Sequence, residues 1–299
     1  MLSTQPKVIA LVGPNATGKS SLGIKLAKVF KGEIISADSR QVYKGLDIGS
    51  GKVTAKERKL VPHHLLDVVN PKRVFTVADF VKLANKKIAE IRKRKHLPII
   101  VGGTGFWIDA LLFGLSFPEV KPDFKLRKKL NRLSAAELFK RLKKLAPARA
   151  KQIDPKNPIR LIRALEIVIK TKKTIPPLKS HSPYQVLWLG INPGYQQLKV
   201  KIKIRMKKRL DQGMLAEVKN LLKSGVPAKK LIALGLEYRY LTLYLQKKNS
   251  KTEMKNQLYS AICQYAKRQM TWFKRNKKIH WLKNFSQAKA LIKKFLLRK

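Results

Sequence analysis

Cysteine is nearly missing from this chain: Cys263 stands alone among 299 residues. No disulfide can close within the chain, no thiolate cage can hold a metal, and a reducing cytoplasm is the expected compartment. Acidic residues are scarce too, 17 against 67 lysines and arginines, for a formal net charge of +50. That imbalance predicts a polyanionic partner, unless the lysines merely solvate every face. The excess runs along most of the chain and forms no single basic arm, so charge alone leaves both readings open. Long apolar runs are absent as well. Val8 to Val12 is far too short for a membrane span or a signal-peptide core, and a soluble protein away from membranes is expected. What remains, 44% hydrophobic residues over this length, is enough for a real core and excludes a disordered basic tail.

Lys7 to Val12 reads as a short buried strand, followed by the turn-rich GPNATGKS and an amphipathic segment to about Phe30. Glu33 to Ala37 and Leu97 to Val101 are further short apolar runs, ending in Asp38-Ser39 and Gly102-Gly103-Thr104. Helical patterns between them imply a parallel sheet with crossover helices. From Pro122 to about Ile169 strand signals vanish and leucines recur at helical spacing among lysines and arginines. Ile175-Pro176-Pro177 and Ser180 to Pro183 punctuate its end, after which Gln185 to Ile191 returns to strand character. The remainder from Tyr195 is mostly helical by pattern. The expected fold is α/β, a P-loop NTPase-like parallel sheet core (residues 1–121 and 184–299) with a helical insertion domain (residues 122–183).

The strongest motif is G-x-x-x-x-G-K-[ST], met by Gly13, Gly18, Lys19 and Ser20. Its glycines turn backbone N–H groups toward phosphate oxygens, the helix N-terminus adds positive potential, Lys19 neutralises, and Ser20 is the candidate ligand for Mg²⁺. The motif does not say whose phosphates they are. Asp38, after the second strand, belongs in the same crevice, where it is either a general base or a turn or helix-capping aspartate. Gly102 to Gly105 likewise ends a strand, and Thr104 offers a hydroxyl; a plain turn explains it equally well. His63 and His64 are adjacent, so their side chains diverge, and no catalytic role is assigned to them. Trp272, Phe273 and Trp281 lie among Lys267, Arg268, Lys274 and Arg275, a mix suited to stacking on bases and gripping phosphates, or to an amphipathic helix with an aromatic core face.

In order, GPNATGKS, ISADSRQVYKGLDIGSGK, PHHLLDVV, ADF, PIIVGGTG, ALLFGL, DPKNPIRLIRALEI and AKRQMTWF cover nearly the whole chain. Together they resemble the tRNA dimethylallyltransferase (isopentenyltransferase) family. The resemblance implies that the loop Gly13, Pro14, Asn15, Ala16, Thr17, Gly18, Lys19 and Ser20 holds the diphosphate of dimethylallyl diphosphate. It implies that Asp38 takes a proton from adenine N6, that Thr104 lies near the reacting centre, and that Arg205 helps grip the diphosphate. For the tRNA anticodon stem-loop it points to Ser39, Arg40 and Gln41, to Arg127, to Ile159, Arg160, Leu161, Ile162 and Arg163, and to Lys267, Arg268, Gln269, Trp272 and Lys274. The chain departs from the pattern at Ile232 to Arg239 (IALGLEYR), where many relatives have a shorter I-G-Y-[KR]-[EQ]; no role is carried over to Leu236 or Glu237. Lys172-Lys173 stands where relatives commonly have a glycine.

The implied enzyme moves a dimethylallyl group to N6 of the adenine 3′-adjacent to the anticodon and uses Mg²⁺; a monomer clasping one tRNA is the expected state, though the sequence leaves the oligomeric state open. A phosphate-loop kinase acting on a small acceptor and a non-catalytic RNA-binding protein with a relic loop are the competing readings. ATP turnover without tRNA marks the first, tRNA binding without product the second.

Overall fold

A computed structural model describes residues 5–118, 120, 122–172 and 181–298. The chain divides into two compact units, one of Met1–Leu112 with Ser182–Lys299 and one of Phe113–His181.

In chain order the first unit begins β1 (Lys7–Val12), α1 (Lys19–Val29), β2 (Gly32–Ala37), α2 (Ala55–Leu60), β3 (His63–His64), α3 (Val77–Lys93), β4 (Leu97–Gly102) and α4 (Gly105–Leu112). The second unit holds α5 (Phe124–Leu130), α6 (Ala135–Leu145), α7 (Pro147–Ala150) and α8 (Pro158–Thr171). The first unit resumes with β5 (Gln185–Gly190), α9 (Tyr195–Asp211), α10 (Met214–Lys223), α11 (Ala228–Leu234), α12 (Leu236–Leu245), α13 (Lys251–Phe273), β6 (His280–Trp281) and α14 (Phe285–Leu297).

The six strands form one sheet in the order β3-β2-β4-β1-β5-β6, and every pair is parallel. Val8 to Val12 are fully buried, as expected of a parallel strand covered on both faces. Ile9, Leu11, Ile34, Ile99 and Leu189 pack with Ile24 and Leu26 of α1 and Ile292 of α14 in one apolar cluster. Their alternate neighbours point to the opposite face. Register matters for function: Val12 pairs with Gly102, and Gly102 with Ala37, so β1, β4 and β2 end level with one another. The loops leaving those three strands are therefore neighbours.

The predicted strands at Lys7, Glu33, Leu97 and Gln185 are all present. The edge strands β3 and β6, two residues each, were not predicted, because two residues show no periodicity. Capping boxes start several helices, Thr76 with Asp79 at α3 and Ser250 with Glu253 at α13 among them.

The second unit is helical, closed around Leu130, Leu138, Leu142, Leu161 and Leu165. Glu166, fully buried, accepts from Asp123 N at 2.6 Å, from Arg127 Nε at 2.8 Å and Nη2 at 2.7 Å, and also pairs with Arg163. Burial raises its carboxyl, but Arg127, the Asp123 amide and Arg163 outweigh that and hold it at about 2. α8 ends on Lys172, which takes the left-handed conformation (φ 51°) usually given to glycine. The Pro-rich punctuation at Ile175-Pro176-Pro177, and Lys173 with it, lies outside the described residues. No helix among the described residues is long and apolar enough to cross a membrane.

Candidate active site

Three strand ends build the site. Beyond β1 the phosphate loop turns into α1, whose N-cap Gly18 sits at φ 83°, a left-handed geometry that favours glycine. Thr17 Oγ1 donates to Pro14 O at 2.9 Å and Lys19 Nζ to the same carbonyl at 2.5 Å, so the lysine is folded against its own loop. Burial pushes Lys19 down to about 7, aided by the Arg205 charge and opposed by Asp38. The loop opens on a cavity of about 830 Å³ that also takes in Asp38, Gly103, Arg205, Glu237 and Tyr265.

Asp38 follows β2. Its Oδ1 accepts from Arg40 N at 2.8 Å and Gln41 N at 3.4 Å, while Oδ2 has no hydrogen-bond partner among the described residues. The turn reading holds, and it engages one carboxylate oxygen only. Thr104, after β4, accepts from Ser39 N at 3.1 Å and tightens the same turn. On α13, burial with the Asp38 charge pushes the Tyr265 phenol up to about 12, keeping it protonated. Gln41 is a brace: Ser36 Oγ donates to its Oε1 at 2.8 Å, and its Nε2 donates to Gly51 O at 3.2 Å. Arg40 Nη1 donates to Ser39 Oγ at 3.0 Å.

Across the cavity, Arg205 and Arg209 lie one turn apart on α9 and both press on the loop at Gly51. A β-carbon there would sit 2.2 Å from Arg205 Nη2 and 1.4 Å from Arg209 Nη2, at a backbone φ of 65°. Any other residue there would be strained by that φ and would displace both guanidiniums. Burial lowers Arg205 to about 10, helped by the Arg209 charge. Arg209 Nη1 reaches Gly49 O at 3.2 Å and Glu237 Oε1 at 3.3 Å. Glu217 of α10 holds the loop from outside, accepting from the amides of Asp47, Ile48 and Gly49 and from Tyr238 Oη.

Arg209, Glu237 and Tyr265 were missed by the sequence reading. An arginine four residues after Arg205 on a helix shares its face, and that signal was available. Glu237 fell in the segment that departs from the family pattern.

The segment Lys267 to Lys274 divides by placement. Lys267, Arg268 and Lys274 are exposed. Gln269 is buried, accepting from Asn15 N at 2.9 Å and donating to Gly103 O at 2.8 Å. Trp272 Nε1 donates to Asp109 Oδ2 at 2.8 Å, with the Arg275 guanidinium 3.8 Å above its ring. Phe273 is core, and Trp281 belongs to the edge strand β6, so neither is placed as a free stacking platform. In the second unit Leu161 and Ile162 are buried in the helical core, which removes their side chains from any surface contact, whereas Ile159 is 81% exposed and Arg160 is exposed. Arg127 and Arg163 hold Glu166. His64 pairs with buried Glu33, as do Arg94 and His96.

No group of three or more His, Cys, Asp or Glu among the described residues could hold a metal ion by itself. Ser20 lines the cavity, and its hydroxyl oxygen suits a Mg²⁺ ion, which a single protein ligand would hold only together with a phosphate-bearing ligand.

The IPP transferase family model matches residues 41–276. This chain belongs to the tRNA dimethylallyltransferase (IPP transferase) family. It is 43% identical over 280 residues to tRNA dimethylallyltransferase 2 of Shewanella sediminis, covering 92% of each chain. It is 40% identical to the tRNA dimethylallyltransferase of Anoxybacillus flavithermus, covering 92% of this chain and 89% of that one. Among solved structures it is similar to the full-length tRNA isopentenylpyrophosphate transferase of Bacillus halodurans, at 34% identity and a TM-score of 0.72, over 98% of this chain and 96% of that one. A eukaryotic dimethylallyltransferase acting on tRNA matches with a TM-score of 0.78 at 28% identity, over 90% of this chain and 70% of that one.

Proposed function

We propose that this enzyme transfers the dimethylallyl group of dimethylallyl diphosphate to N6 of the adenine 3′-adjacent to the anticodon of tRNA and releases diphosphate. The observation that carries the reading is that the phosphate loop and Asp38 line one cavity rich in cations at the level ends of β1, β2 and β4, with Thr104 bonded to the Ser39 amide beside them.

The adenine amine is a weak nucleophile because its lone pair is delocalised into the ring. As N6 attacks the allylic carbon, the carbon–oxygen bond breaks, its electron pair leaves with the diphosphate, and Asp38 Oδ2 accepts the amine proton. Lys19, Arg205 and the loop amides meet the charge that grows on the departing oxygen. Mg²⁺, held by Ser20 and phosphate oxygens, supplies further charge neutralisation when bound. Lys19 releases Pro14 O to reach the diphosphate, and the anion restores its proton.

An adenine stacked in an anticodon loop must be flipped out to reach such a cavity, at a cost of a few kcal/mol that contacts elsewhere on tRNA offset. Exposed Lys267, Arg268 and Lys274, with Ile159 and Arg160 on the helical unit, are the proposed contacts, in a chain of net charge +50. Binding should weaken steeply with salt. A cytoplasmic monomer clasping one tRNA fits this reading.

The test is incubation with Mg²⁺, dimethylallyl diphosphate and an unmodified tRNA having adenine 3′ of its anticodon, followed by nucleoside mass spectrometry. The prenylated base is expected. ATP hydrolysis with no prenylated base across several such tRNAs would replace this reading with a kinase.

A further inference from the structure

We propose that Arg209 is a second guanidinium for the diphosphate beside Arg205, and that Glu237 is its positioning residue. The inference rests on the diphosphate site proposed above and adds two residues to it.

Arg209 is 11% exposed and its Nη1 is committed to Gly49 O and Glu237. Its Nη2 is buried without a hydrogen-bond partner among the described residues. A guanidinium in a folded interior satisfies its donors unless a ligand does so. That Nη2 faces Gly51 next to Arg205 Nη2, and Arg205 makes no hydrogen bond among the described residues. Lys19, Arg205 and Arg209 share one cavity with Arg40, Lys52, Arg239 and Arg268, against the carboxylates of Asp38, Glu57 and Glu237. The surplus of charge and of unfilled N–H groups suits a dense oxyanion, and the planar forks of two arginines can each span two phosphate oxygens.

Glu237 explains why Arg209 stays beside a like charge. It is 9% exposed at the first turn of α12, delivered there by Gly235 (φ 79°) and by Leu236, a non-glycine residue at φ 44°. Strain of that kind persists where the surrounding structure requires it. Burial raises the Glu237 carboxyl above its ordinary range, and the Arg209 and Arg205 charges offset only part of that rise. Its ion pair with Nη1 fixes the guanidinium with Nη2 against Gly51, beside Arg205 Nη2.

The experiment is calorimetric titration of the full chain with inorganic pyrophosphate. R209Q should weaken binding about tenfold or more, as loss of charge-assisted hydrogen bonds does. K208Q, which removes the same charge from an exposed position on the same helix, should change it less than about twofold. E237L should weaken binding in the wild-type background and leave it unchanged or tighter in the R209Q background, because removing a bystander carboxylate favours an anion. R209K keeps charge without the fork and should fall in between, which carries the test if R209Q folds poorly. Pyrophosphate binding by R209Q within about twofold of wild type, or equal weakening by E237L in both backgrounds, overturns the assignment while leaving the proposed function standing. Absence of pyrophosphate binding by the wild type overturns both.

Discussion

Replacing Gln269 with leucine keeps the side-chain volume and removes two hydrogen bonds that run from α13 to the phosphate loop and to the turn after β4. Gly103 O is buried and would lose its donor, while Asn15 N lines the cavity and can turn to water. One orphaned buried acceptor costs about 1–3 kcal/mol and one rehydrated amide about 0.5–1.5 kcal/mol, for a combined loss of about 2–4 kcal/mol. In a chain of this size that lowers Tm by roughly 3–6 °C. Because the same bonds hold Asn15 in the loop, pyrophosphate affinity should fall, whereas tRNA affinity, carried by exposed lysines and arginines, should hold within about twofold. Thermal denaturation, pyrophosphate calorimetry and tRNA filter binding read the three quantities separately. An unchanged Tm and pyrophosphate affinity with a tenfold loss of tRNA binding would refute the bracing role and make Gln269 a tRNA contact.

Lys19, held at about 7 in the ligand-free protein, is mostly neutral above that pH, and an anion favours its charged form. Pyrophosphate binding at pH 8 should take up a proton, measured in buffers of different ionisation enthalpy, and should weaken as pH rises past 7; the same uptake in K19M would contradict this. For Glu33, burial raises the carboxyl but Arg94, His64 and His96 outweigh that and hold it at about 2, below its ordinary 4.5. A depressed carboxylate contributes stability that is full above about pH 4.5 and is lost as pH falls toward 2. That contribution is on the order of 2–3 kcal/mol, since Arg94 and His96 are partly in water, so E33Q should flatten the acid limb of a denaturation series. Lys172, left-handed at the end of α8, should give about 0.5–1 kcal/mol of added stability when changed to glycine, read as a shift in the urea midpoint.

The sheet was legible because its four longer strands are buried on both faces, which writes them as apolar runs stopped by Gly or Asp. Lys7 to Val12 and Glu33 to Ala37 are of this kind. Asp38 and Thr104 were legible as strand-end residues, and register then made them neighbours of the loop. Gln269 and Trp272 came in as tRNA contacts through the family resemblance of Lys267 to Lys274; the partners they have within the chain, Gly103 and Asp109, are more than 160 positions away and leave no local trace. Leu161 and Ile162 sit in a motif whose neighbours Ile159 and Arg160 are exposed, and only helical phase separates the two pairs. Glu237 was invisible for a different reason: its role depends on Arg209, which meets it across the cavity.

The central claim is that Asp38 accepts the adenine proton while the cation-lined loop holds the diphosphate. Single-turnover prenyl transfer by D38N, with saturating donor and tRNA, tests it most directly. A fall in rate of about 10²–10⁴ with tRNA affinity unchanged and pyrophosphate affinity unchanged or tighter is the predicted result, and transfer at the wild-type rate would contradict it.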